Sequence, residues 1–245
     1  RQKQTQQWNS PVSTVGAIYA LLMTGSDLLA NPNEVRITIG SNVLSAADTE
    51  QKAEAGTGYI RQTFTDKKTV NAGKVKVEKQ GSGMAWGAVY AEYEAPLREL
   101  HGQGNGLEVE KQLYVERVEN NIAKLYPVTD TVRLKVGDKV VSRLIIRTDR
   151  TMDFVQLKDQ CAACFEPMGT VSGYRWNHGL GYYVDIKDAS TRFFFDRLGK
   201  GTYVLEYSYR VSRTGVYESG IAVLQCAYAP EYASHSTSAT VKVEE

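Results

Sequence analysis

Along the chain the apolar positions keep two different periods. Between Ser10 and Gly25, the residues Val15, Ile18, Tyr19 and Leu22 recur at three- and four-residue intervals, the spacing that lines one face of a helix. Ser10 is a suitable N-cap, Pro11 suits the first helical position and Gly25 suits a stop. The spacing predicts one helix of about four turns, a length that is marginal in water by itself. Its apolar stripe should therefore lie on a sheet or on further helices.

From Asn31 the period becomes two, the mark of half-buried strands. Val35, Ile37 and Ile39 alternate in "NPNEVRITIG", and Val75 and Val77 alternate against lysines in "GKVKVEK". "GMAWGAVYAEYEAP" reads as a strand ended by Pro96, whereas the polar stretch from Ser41 to Gly58 reads as loop. Gly102, Gly104 and Gly106 mark a flexible connection and a domain boundary. Beyond it the chain predicts strands throughout: "LEVEKQLYVER", "VRLKVGDKVVSRLIIRTDR" with a turn at Gly137-Asp138, "MDFVQLKD", "YRWNHGLGYYVDIKD", "YESGIAVLQCAYAP" and "SATVKVE". In the second of these Val140, Ser142, Leu144 and Ile146 share a face. In "FFFDRLGKGTYVLEYSYRV" Tyr203, Leu205, Tyr207, Tyr209 and Val211 share one face, and Thr202, Glu206, Ser208 and Arg210 the other. With Gly199 and Gly201 between its halves, that stretch predicts a β-hairpin within one sheet. Short strands at regular spacing with turn signals between them predict a β-sandwich.

Composition narrows the picture. The chain has 245 residues, 42% hydrophobic, with 15 Tyr and 21 Gly, enough for one large β domain or two smaller ones. With 29 basic and 28 acidic residues the net charge is +1, which gives no electrostatic reason to expect nucleic acid as a partner. No apolar run is long enough for a membrane span. The opening "RQKQTQQWNS", with neither initiating Met nor signal peptide, suggests a piece of something longer.

Candidate chemistry is sparse. Cys161 and Cys164 form a C-x-x-C pair, a spacing used by redox dithiols and by half a zinc site. Here the pair lies between strands, with Pro167 after it and no second ligand pair at zinc spacing, so small loop residues or a disulfide are the plainer readings. His101, His178 and His235 lie far apart, and no G-x-S-x-G elbow accompanies them. Asp185, Asp188 and Asp196 are better explained as turn residues than as a calcium loop. Trp176, Tyr182 and Tyr183 could form an aromatic binding surface for a sugar, although aromatics alternating in a strand usually form core and cross-strand pairs. No catalytic, cofactor-binding or metal-ligating residue is assigned.

Read together, "WNSPVSTVGAIYALL", "MAWGAVYAEYEAP", "LKVGDKVVSRLIIRTDRTMDFVQLKDQCAACFEP", "GYRWNHGLGYYVDIKDASTRFFFDRLGKGTYVLEYSYRV" and "GIAVLQCAYAPEYASHS" resemble the C-terminal end of bacterial alpha-2-macroglobulin-like proteins. The resemblance runs from about Trp8 onward and is most specific between Val136 and Ser236. It implies a mainly β architecture of two β-sandwich units preceded by one α-helix. Residues 1–30 would be the last helix of an all-helical domain, 31–106 the remainder of a CUB-like β domain with its linker, and 107–245 a terminal macroglobulin-like sandwich.

It further implies a non-catalytic part of a large, secreted or envelope-anchored protease inhibitor. Proteases would be partners of the parent protein, and neighbouring macroglobulin and helical domains would be partners within the chain. The family's Cys-x-Glu-Gln thioester motif is absent here, so no active residue carries over. The alternative is a β-sandwich binding module for a glycan or a surface protein.

Overall fold

The computed structural model describes residues 8, 10–23, 34–45, 59–81, 85–90, 94–129, 131–169, 171–177 and 179–245. The chain divides into two compact units, Asn9–Tyr93 and one built on Glu94–Glu245.

The first unit begins with helix α1, Pro11–Met23. Its start is the expected one: the Ser10 hydroxyl accepts from the Ser13 amide at 3.1 Å, relieving an orphan N–H of the first turn. Gly25, the expected stop, lies outside the described residues. Among the described residues the apolar stripe is left open: Val15, Ile18 and Leu22 are all at least half exposed, and no residue of α1 is buried. Strands β1 (Glu34–Ile39), β2 (Asn42–Ser45) and β3 (Val75–Gln80) form an antiparallel sheet in the order β2-β1-β3. β2 falls in the stretch expected to be loop. The first residue of β2 is tied to a four-residue helix, α2 (Lys67–Val70), through Asn42 Nδ2 donating to the buried Thr69 hydroxyl at 2.6 Å. Residues 85–90, expected to be a strand, pair with nothing among the described residues and expose Trp86, Val89 and Tyr90. Among the described residues this unit is one sheet layer.

Among its described residues the second unit has fifteen strands. They are β4 (Gln103–Gly104), β5 (Leu107–Glu119), β6 (Ile122–Pro127), β7 (Leu134–Lys135), β8 (Lys139–Thr148), β9 (Met152–Gln160), β10 (Phe165–Pro167), β11 (Gly173–Asn177) and β12 (Leu180–Lys187). After these come β13 (Ser190–Leu198), β14 (Gly201–Val211), β15 (Gly215–Glu218), β16 (Ala222–Cys226), β17 (Ala233–His235) and β18 (Thr240–Glu244). A five-stranded sheet, β10-β14-β8-β5-β6, faces a seven-stranded one, β11-β12-β13-β9-β16-β17-β4. A small third sheet, β15-β18-β7, adds Val241, Val243 and Leu134 to one end of the core. The sandwich is held by apolar side chains from both inner faces: Leu107, Leu144, Ile146 and Leu205 from one sheet meet Val155, Leu157, Val184, Phe195 and Leu224 from the other. Each such side chain contributes roughly 1.5–3 kcal/mol on burial.

The expected faces of β8 and β14 are observed. Val140, Ser142, Leu144 and Ile146 are buried, as are Leu205, Tyr209 and Val211, although Val141, on the opposite face of β8, is buried as well. One local expectation is overturned. The stretch from Phe193 to Val211 is not a hairpin: β13 pairs with β12 and β9, whereas β14 pairs with β8 and β10 in the opposite sheet. The turn at Gly199 therefore crosses from one layer to the other. Tyr203 closes it by donating its hydroxyl to the Gly199 carbonyl at 3.1 Å. The physical reason lies in the pattern itself. Both arms are strongly apolar on one face, and facing those stripes across a sandwich buries both at once. The Gly137-Asp138 turn likewise joins β7 and β8 of different sheets.

A second irregularity sits at Phe154, whose φ is 56°, a region costly for a bulky residue. Here the inward phase of β9 and β13 shifts together, so that Met152 and Leu198 are buried as well as Val155 and Phe195.

Candidate functional site

At the middle of the sandwich the inner face of β5 runs Leu107, Val109, Lys111, Leu113, Val115. A lysine thus occupies a core position, and its side chain is only 2% exposed. Opposite it, in the core phase of β9, stands Asp159, with a side chain 0% exposed. Lys111 Nζ lies 2.7 Å from Asp159 Oδ1. The ammonium also donates to the carbonyls of Gln160 at 2.5 Å, Ser219 at 2.9 Å and Gly220 at 3.5 Å. Asp159 Oδ2 accepts from the Ser142 hydroxyl at 3.1 Å and from the Tyr207 hydroxyl. Tyr209 in turn donates to the Tyr207 hydroxyl at 2.9 Å. Burial pushes both phenols well above the ordinary tyrosine range, with the Asp159 carboxylate adding to it. Both hydroxyls therefore stay protonated and act as donors.

This arrangement links β5, β8 and β14 of one sheet to β9 of the other and to the turn before β16. A buried ion pair left short of partners would be strongly destabilising. Here the charges are met almost entirely from within: the ammonium by a carboxylate and three carbonyls, the carboxylate by two hydroxyls and the ammonium. The turn is equally specific. Gly220 has φ 73°, and a Cβ there would stand 2.6 Å from the Gln160 carbonyl oxygen, so only glycine brings the Ser219 and Gly220 carbonyls onto Lys111.

The residues singled out from the sequence fall elsewhere. Cys161 is half-buried, Cys164 and Cys226 are buried, and all three thiols are free. Cys164 belongs to the core beside Phe165 and Tyr209, and the Cys161 thiol donates to the Asp188 carbonyl at 3.3 Å. Burial raises the Cys161 thiol and pushes Cys164 from 9.0 up to about 11. A thiol that stays protonated at neutral pH is a poor nucleophile. Labelling of the folded chain with a disulfide reagent at pH 7.5 should therefore be slow at Cys164 and accelerate only on unfolding; rapid labelling there would contradict this placement. Because the folded value is raised, the Cys164 contribution to stability is complete below the unfolded thiol value and is lost as pH rises from about 9 to 11.

Trp176, Tyr182 and Tyr183 do not share a surface. Tyr182 is 9% exposed and points into the core between Phe193 and Phe195. Tyr183 and Trp176 point outward, at 36% and 77% exposure. Strand alternation separates neighbours 182 and 183 by construction. The outward set instead includes Tyr174, edge-on to Tyr183 at 5.1 Å.

Asp185 pairs with Lys187 at 3.3 Å. Among the described residues no three His, Cys, Asp or Glu side chains lie close enough to hold a metal ion. His235 sits half-buried in β17, His101 is exposed, and His178 lies outside the described residues.

The geometry defines a class: a two-layered β domain whose interior charges hold its sheets together. The family follows from the sequence of that domain. Residues 106–231 match the family model of the bacterial alpha-2-macroglobulin MG10 domain, and the chain belongs to that family. No curated protein matches the chain. Among solved structures it is similar to a point mutant of Salmonella alpha-2-macroglobulin, with 15% identity over 86% of this chain and 13% of that one, and a TM-score of 0.48. Native alpha-2-macroglobulin from Escherichia coli, spanning domain MG7 to the C-terminus, shares 12% identity over 86% of this chain and 33% of that one, with a TM-score of 0.47. The native conformation of the E. coli protein seen by cryo-electron microscopy shares 11% identity over 86% and 13%, with a TM-score of 0.46. The chain thus spans between about an eighth and a third of these relatives. No helix among the described residues is long and apolar enough to cross a membrane.

Proposed function

We propose that the chain is a non-catalytic part of an alpha-2-macroglobulin-like, protease-trapping protein of the bacterial envelope or extracellular space. Its role there is to supply packing surfaces and to transmit rearrangement between domains. Residues 107–245 act as the terminal macroglobulin sandwich, 31–106 as the returning strands of a CUB-like domain, and 1–30 as the end of a helical domain. The observation that carries this reading is the family match over residues 106–231. Two structural features support it. The buried charges at Lys111 and Asp159 are consumed by internal bonds, and the exposed stripe of Val15, Ile18 and Leu22 suits a helix that packs on others.

Incubating the purified chain with trypsin and with elastase should leave both proteases active and give no adduct stable in SDS. A covalent adduct would contradict the non-catalytic role. The full-length parent treated in the same way should hold the protease and shield it from large substrates. A parent that leaves proteolysis of large substrates unchanged would contradict the trapping role.

A further inference from the structure

β11, Gly173–Asn177, is the last strand of the seven-stranded sheet. Among the described residues nothing pairs with its outer edge. Natural edge strands are commonly blunted by proline, lysine, a bulge or an inward-pointing charge; "GYRWN" has no proline, lysine or bulge, its one charge is Arg175, and it pairs with β12 in unbroken register from Gly173↔Val184 to Asn177↔Leu180.

The two faces of this edge differ. On the outer face Tyr174 and Trp176 are 79% and 77% exposed. The Trp176 ring lies against the backbone of Gly181, where a Cβ would stand 2.7 Å from it, leaving its far side open. On the other face Arg175 is exposed and donates to the Val171 carbonyl at 3.1 Å. Among the described residues no carboxylate pairs with it. Arg175 borders a cleft of about 390 Å³ between the sheets, whose apolar lining includes Met168, Tyr182, Ile186 and Phe193.

We propose that β11 is a strand-addition site for an extended peptide segment of a partner protein, one carrying an acidic residue flanked by apolar ones. Main-chain bonds to the free edge supply affinity in this mode, and alternate side chains supply specificity. In register with β11, the residues opposite Tyr174 and Trp176 lie on the aromatic outer face. The residue opposite Arg175 lies on the cleft side, where a carboxylate meets the unpaired guanidinium. A sugar stacked on the rings would use Trp176 and Tyr174 but leave Arg175 and the backbone edge idle. A second copy pairing edge to edge about Arg175 would set two guanidinium groups opposite each other, which is unfavourable. The inference does not depend on protease trapping.

The test is an NMR titration of the full chain with a blocked Thr-Val-Glu-Val-Thr pentapeptide and with its Val-Lys-Val counterpart. The acidic peptide should shift and protect amides of residues 173–177, and the lysine peptide should bind roughly tenfold more weakly, the factor that about 1.4 kcal/mol carries. In Arg175→Glu the order of the two peptides should reverse, with the remaining spectrum unchanged. The proposal is overturned if neither peptide perturbs β11 in the folded chain, or if the Arg175→Glu exchange leaves the order unchanged. It is overturned equally if cellohexaose quenches Trp176 fluorescence while the peptides do nothing, or if the same amides become protected by self-association on concentrating the chain alone.

Discussion

Replacing Lys111 with methionine should lower the stability of the sandwich by about 3–5 kcal/mol, the usual consequence of removing one partner from a buried ion pair. Methionine fills much of the space, so lost volume is a small part of the effect. The loss comes from what remains. Asp159, with a side chain 0% exposed, is left with only the Ser142 and Tyr207 hydroxyls as partners. The carbonyls of Gln160, Ser219 and Gly220 lose the ammonium they shared. For a chain of this size the change corresponds to a fall in Tm of roughly 10 °C. Urea unfolding followed by circular dichroism measures it; a loss below about 1 kcal/mol would mean that the pair is far better solvated than its geometry shows.

The second large effect is expected at Gly220. Alanine there must adopt φ near 73° and must place its Cβ within 2.6 Å of the Gln160 carbonyl oxygen and 2.8 Å of its carbonyl carbon. Both obstacles are backbone, so neither can rotate away. The positive φ alone costs about 1 kcal/mol for an ordinary residue, and relief of the overlap requires the turn to move off β9. That motion draws the Ser219 and Gly220 carbonyls away from Lys111. Gly220→Ala should therefore destabilise by about 2–4 kcal/mol, in the range of a disrupted core. It should also speed hydrogen exchange at the Gln160 amide, which bonds the Ile221 carbonyl at 3.0 Å. Gly137→Ala is the control: its φ is 93°, but a Cβ there meets nothing within 4 Å. Equal losses at the two sites would show that positive φ alone is responsible.

Strand alternation made most of the second unit legible. The faces of β8 and β14 follow from residues in phase, because a half-buried strand allows no other arrangement. What alternation cannot give is the partner of a strand. The stretch from Phe193 to Val211 satisfies the pattern of a hairpin and of a layer-crossing turn equally well, and only packing across the sandwich decides. In the first unit, "GMAWGAVYAEYEAP" has strand composition, yet residues 85–90 find no strand to pair with among the described residues; β-propensity describes fit to a pleated surface that must already exist. The central ion pair was hidden because Lys111 lies among Glu108, Glu110 and Gln112 in a stretch that looks like solvent-facing charge. The available signal was phase: Lys111 shares parity with Leu107, Val109, Leu113 and Val115, and Asp159 with Val155 and Leu157. A charge in core phase on each of two long strands is the trace that a buried pair leaves. The Cys161 and Cys164 spacing pointed toward reactive chemistry, but Cys164 serves as a small apolar residue beside Phe165.

The charges inside this domain serve to hold its two sheets in register. A double-mutant cycle on Lys111→Met and Asp159→Leu, read by urea unfolding, tests this most directly. Each single variant should lose several kcal/mol, and the double variant, with no orphaned charge, should be more stable than either. Losses that simply add would contradict the claim, since the two groups would then be acting independently.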